Sequence, residues 1–78
     1  MELLEGAEMI NYVVVYEQTP NGWSAYVPDL PGCIAAADTR DEIEQLIEEA
    51  VVLHVTALRE SHQPVPPPTT RTGLVKVA

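Results

Sequence analysis

The sequence predicts an α+β domain in which a small, mostly antiparallel sheet is backed by one helix, in the order β-β-β-α-β. Three features lead there. A run dense in Val, Ile and Tyr (INYVVVYE, residues 10–17) is followed by the turn chemistry Thr19-Pro20-Asn21-Gly22 and a second β-prone run (WSAYV, residues 23–27). A capping box at Thr39 and Glu42 opens a long amphipathic stretch. After a proline-rich segment, LVKV at residues 74–77 alternates like a brief strand.

In the first run, Ile10, Tyr12, Val14 and Tyr16 share one face, and Asn11, Val13, Val15 and Glu17 share the other. Apolar groups on both faces place this strand inside the sheet, so the fourth strand is expected beside it. Proline at the second turn position and asparagine at the third fit a hairpin loop built on a type I turn. The second strand presents Trp23, Ala25 and Val27 on one face. Pro28-Asp29-Leu30-Pro31-Gly32 then breaks the ladder, since proline donates no backbone hydrogen bond and Gly32 permits a positive φ. Residues 33–37 (CIAAA) resume as a third, short strand pairing back onto the second.

The helix begins after Thr39, whose hydroxyl can accept from the amide of residue 42, while Glu42 can reach back to residue 39. Asp41 and Glu42 suit the positive end of its dipole. Ile43, Leu46, Ile47, Ala50, Val51, His54, Ala57 and Leu58 recur at steps of three and four and define the core stripe, with Glu44, Glu48, Glu49 and Arg59 opposite. Gln63-Pro64 ends it, because proline disfavours helical geometry in the residue before it. Residues 64–68 are expected to be extended and stiff. The domain is read as residues 10–78, with residues 1–9 a flexible extension.

A chain of 78 residues holds one domain at most. Below roughly 70–80 residues a fold usually needs a disulfide, a metal or a partner chain. Cys33 is the sole cysteine, and two isolated histidines lack the paired short spacings of a zinc site. Association is therefore expected, as a dimer or tetramer. Twelve Asp and Glu against four Lys and Arg give a net charge of −8. That balance disfavours direct DNA or RNA binding and anionic membranes, and it attracts a basic protein. No basic leader precedes an apolar run, and no apolar run approaches a membrane span of about 20 residues, so a cytoplasmic protein is expected.

Catalytic chemistry finds little support. Asp41, Glu42, Glu44, Glu48 and Glu49 could suggest a metal-dependent nuclease, but they lie on a helix whose apolar stripe faces the sheet, so most point to solvent. Cys33 could be a nucleophile with His54 or His62 as base, yet no cationic neighbour in sequence lowers its pKa, and packing is the favoured reading. His54 lies on the apolar stripe, and His62 can serve the helix C-terminus. Four scattered glycines form no phosphate loop. No enzyme, cofactor or metal is expected.

Two features exceed what one chain's packing requires. Val52, Leu53 and Val55 widen the apolar arc of the helix and mark an oligomer interface, unless the proline segment folds over them. Tyr16, Trp23 and Tyr26, near Glu17 and Asp29, make a candidate partner-binding set, because Tyr and Trp are enriched at interfaces.

From Tyr12 to Pro68 the chain resembles the N-terminal domain of HicB-like antitoxins. The likeness rests on Val27-Pro28-Asp29-Leu30-Pro31-Gly32-Cys33, then Ala37-Asp38-Thr39-Arg40-Asp41-Glu42, then a helix closing on Pro64 and Pro66. The resemblance implies a partial ribonuclease H-like fold without catalytic acids. It also implies a non-enzymatic protein that self-associates and binds and occludes a small basic mRNA-cleaving toxin of a type II toxin–antitoxin system. Ala37 stands where the family usually has glycine. Longer members carry a C-terminal DNA-binding domain, which this chain, stopping at Ala78, is expected to lack. Short relatives also stand without a toxin, so the alternative is a solitary oligomeric binding module of the same fold.

Overall fold

A computed structural model of the chain describes residues 9–78. The extension expected at residues 1–9 therefore falls, but for Met9, outside the described residues. Three strands, β1 (Val15–Thr19), β2 (Gly22–Tyr26) and β3 (Ile34–Ala37), precede one helix, α1 (Arg40–Glu60). The sheet is antiparallel in the order β1-β2-β3, with Val15 opposite Tyr26 and Tyr26 opposite Ile34. The α+β class and the order of the first four elements stand as the sequence predicts.

The hairpin turns over Pro20 and Asn21, and Asn21 keeps a negative φ, as a type I turn requires. Gly22 is needed for space, because a Cβ there would collide with the Ala37 carbonyl oxygen and crowd Asp38. Between β2 and β3 the proline-rich string forms two consecutive turns. Leu30 N–H donates to the Val27 carbonyl at 3.0 Å, and Cys33 N–H donates to the Leu30 carbonyl at 3.0 Å. Pro31 sits second in the latter turn and Gly32, at φ 87°, third, which is type II chemistry. Val27 N–H to Cys33 C=O, 3.1 Å, clips the base shut. Leu30 is thereby driven into the core, where it is fully buried.

Ala25, Val27, Leu30, Cys33, Ile43 and Ile47 form the core, with Tyr12, Val14, Tyr16, Trp23 and Val51 packed around it. α1 lies over β2 and β3. Its inward line runs Ile43, Ile47, Ala50 and Val51, His54 and Val55, and Leu58, with His54 half-buried as the sequence predicts. It is narrower than the expected stripe: Leu46 and Ala57 turn out to solvent and Val55 turns in.

Both helix ends are chemically closed. Glu42 N–H donates to Thr39 Oγ1 at 3.1 Å. The Glu42 side chain accepts from the Thr39 hydroxyl at 3.2 Å, where the capping box expected it to accept from the Thr39 amide. At the other end His62 adopts φ 58°, its N–H donating to Arg59 C=O at 3.1 Å while Gln63 N–H donates to Leu58 C=O at 2.9 Å. This is a Schellman cap with histidine in the position glycine usually takes.

The fourth strand is the main correction. Residues 71–78 are exposed and hold no strand. β1 is consequently an edge strand, and it starts at Val15 where residue 10 was expected. The cause is on the partner strand: β2 leaves the ladder after Tyr26, at Pro28, so residues 10–14 have no strand to pair with. They pass instead beside α1, where Tyr12 and Val14 still reach the core.

Candidate functional site

Because strand side chains alternate, the register sorts the candidate residues by face. Tyr16 lies opposite Ala25, and Trp23 opposite Ala37, so both belong to the helix-covered face. Tyr26 lies opposite Val15 and Ile34, and Glu17 opposite Ser24, on the uncovered face. Asp29 sits in the double turn. The five residues expected to form one partner-binding set are thus divided among three places.

On the helix side, Arg40 joins the two aromatics. Its guanidinium carbon stands 4.4 Å from the Tyr16 ring centroid and 5.1 Å from that of Trp23, and its Nε donates to Glu44 Oε2 at 2.8 Å. Such a cation over an exposed ring contributes about 0.5–1 kcal/mol. Helix geometry brings Arg40, in the first turn, back over β1 and β2. The sequence reading passed over it as a capping-box residue.

On the uncovered face, Val15, Tyr26 and Ile34 make an apolar row across all three strands, with Tyr26 40% and Ile34 70% exposed. Glu17, Ser24 and Ala36 form the adjacent row. Ile34 was read only as part of a short strand, yet it is the most exposed large apolar side chain on the sheet.

Asp29 is taken up inside the chain. Its carboxylate accepts from the Thr70 amide at 3.0 Å and from the Thr70 and Thr69 hydroxyls at 2.8 and 3.1 Å. The Thr70 amide foremost, with both hydroxyls, holds the carboxyl below its usual range against a partial desolvation. A second tie lies nearby, where the Tyr12 hydroxyl donates to the Pro66 carbonyl at 2.6 Å. Burial, and then the negative charge of Asp29, push the Tyr12 phenol up, which keeps it the donor. Residues 66–70 form a strap fixed at both ends. The assignment of Asp29 as a free partner contact is corrected accordingly.

The oligomer residues divide as well. Val52 and Leu53 are 59% and 70% exposed, so the proline segment does not cover them. Val55 is half-buried against the core and is corrected from interface to packing. Cys33 is buried, and burial pushes its thiol up, away from the thiolate that nucleophilic work requires. Among the described residues no three His, Cys, Asp or Glu gather to hold a metal. No helix there is long and apolar enough to cross a membrane.

The profile of a family described as HicB-like antitoxin of bacterial toxin–antitoxin systems matches residues 12–77. The chain belongs to the HicB-like antitoxin family. A UPF0150 protein of Synechocystis is 40% identical over 60 residues, 76% of either chain. The protein named antitoxin HicB 2 of Photorhabdus laumondii is 29% identical over 62 residues, 80% of this HicB-like chain and 45% of that one. Among solved structures, a HicA3 and HicB3 toxin–antitoxin complex contains a chain 35% identical, with a TM-score of 0.64 over 76% of this chain and 70% of that chain. This HicB-like chain thus spans less than half of the Photorhabdus relative, and its fold is that of the chain in the complex.

Proposed function

We propose that this HicB-like chain is a non-enzymatic antitoxin that binds and occludes a small basic mRNA-cleaving toxin. The observation that carries the reading is the family match over residues 12–77, together with 35% identity to a chain of a toxin–antitoxin complex. The charge agrees with it. A net −8 speeds encounter with a cationic protein and offers little to nucleic acid. An RNA-cleaving protein must itself carry positive charge to hold its substrate, so an acidic partner competes for the same surface.

The uncovered sheet face is the proposed contact. Tyr26 and Ile34 supply an apolar centre, and Glu17 a charged rim, the anatomy of a protein interface. Arg40, stacked on Tyr16 and Trp23, forms a second, separate contact region. The exposed Val52 and Leu53 favour self-association in addition, as in the alternative reading of a solitary oligomeric module. Cytoplasmic residence follows from the substrate of the proposed target.

The test is RNA cleavage by a small basic protein that co-purifies with this chain from its native cells, with increasing amounts of the chain added. Stoichiometric loss of cleavage supports the reading. Ile34→Asp, on a residue 70% exposed, is expected to weaken inhibition tenfold or more at unchanged fold. Full inhibition by that variant moves the contact off this face, and no inhibition by the native chain overturns the function.

A further inference from the structure

Among the described residues β1 is an open sheet edge, and the sequence does little to protect it. Natural edges are blunted with proline, lysine, bulges or a covering loop. Val15–Thr19 has no proline or lysine, pairs in regular register with β2, and carries one charge, Glu17. Residues 10–14 prolong this edge with further β-prone chain.

Beside the edge lies a groove between residues 10–16 and α1. Tyr12 and Val14 line one wall, Ile47 and Val51 the other, and Glu44 and Glu48 stand at its rim. It exists because the helix lies over β2 and β3 and stops short of β1. A strand added at this edge would send alternate side chains into the groove and the others onto the uncovered face.

Residues 74–77 have the complementary character. They alternate Leu, Val, Lys, Val, and Leu74 is fully exposed, with Val75 and Val77 at 88% and 83%. Lys76 falls here and Arg71 just before it, two of the four cations of the chain, and no Asp or Glu follows Glu60. A cationic apolar strand therefore hangs from an acidic body that has an open edge. The strap ties at Tyr12 and Asp29 fix the point from which this tail departs, and from there it runs into solvent instead of folding onto its own β1.

We propose that residues 74–77 pair with the β1 edge of a second copy of this chain, and that the partner's tail returns the contact. Val75 and Val77 enter the acid-rimmed groove. Lys76 falls on the uncovered side next to Glu17, and Leu74 extends the row of Val15, Tyr26 and Ile34. Two identical edges and two identical tails close the exchange on a two-fold axis and leave no β1 edge unpaired. The other free edge, β3, is less suited: the groove beside it is lined by Asp38, Glu42, Gln45 and Glu49 with Ala36, Ala37 and Leu46, so Leu46 is its one large apolar side chain, against Tyr12, Val14, Ile47 and Val51 beside β1.

The test needs only the 78-residue chain, so its outcome is independent of any toxin. Light scattering at micromolar concentration is expected to give twice the 8.5 kDa chain mass, and amide exchange to show protection at residues 15–19 and 74–77. Val75→Pro, at a solvent-exposed position outside the core, is expected to halve the mass and remove both protections at unchanged helix content. A monomeric native chain overturns the proposal, whether its tail is free or protected in cis. So does a dimer that survives Val75→Pro, one that only Leu53→Asp dissociates, or one whose protection lies at Ile34–Ala37.

Discussion

Asp29 shows how a single carboxylate organises the end of the chain. The sequence places it in a proline-bounded turn and suggests a partner contact, because nothing local reveals hydrogen-bond donors about forty residues away. The threonines that occupy it lie beyond the helix and the prolines, and their meeting with Asp29 is a tertiary fact. Its carboxyl is held below the usual range, so the stabilisation is present above the unfolded value and is lost as pH falls through the folded one. Acidification through and below the ordinary carboxylate range is therefore expected to release the strap before the core unfolds. Amide exchange at Thr70 checks this: protection should fall in acid, and Asp29→Asn should show the same loss at neutral pH. Thr39 is the contrary case, legible from the sequence because its partner is three residues away. Thr39→Ala is expected to lower stability by about 1 kcal/mol in denaturant titration. Gly22 lies between the two. Its turn was readable, but the reason for glycine is the approach of Ala37 and Asp38 from another strand, so Gly22→Ala is expected to destabilise by about 1–3 kcal/mol.

Among the elements, the helix and the hairpin were readable because their signals are local and agree: cap, period and turn chemistry. The helix stripe was read slightly too wide, since periodicity cannot say how far the sheet extends beneath it. Leu46 and Ala57 fall outside that footprint and Val55 inside it. The C-terminal cap was legible only as a histidine near the dipole end, whereas its contribution is through backbone at φ 58°. A non-glycine residue there is strained by about 1–2 kcal/mol, partly offset by the entropy glycine loses on folding. His62→Gly is thus expected to raise stability by about 0.5–1 kcal/mol, read as a higher midpoint in urea at an unchanged slope. The fourth strand failed as a reading because alternation reports what a segment can pair with, and the edge it fits is open in a single chain.

At the scale of the whole molecule, the acidic balance and the exposed apolar groups are the features that the proposed association would use. Among the described residues six are buried in the core, and Tyr26, Ile34, Val52, Leu53 and the tail remain outside it. The family was legible from two motif strings, and the structure gives the first of them a physical meaning as a double turn that buries Leu30 and presents Asp29. The partner surface was legible only as a list of aromatics, because which strand face is covered is decided by where the helix lies. The central claim is the capture of a basic toxin, and the most direct measurement is affinity capture of this chain from its native cells at low and high salt, with the bound protein identified by mass and assayed for RNA cleavage. A small basic protein is expected, held at low salt, released by high salt, and able to cleave RNA once released. Recovery of the chain alone, at both salt concentrations and from cells that express it, would contradict the account.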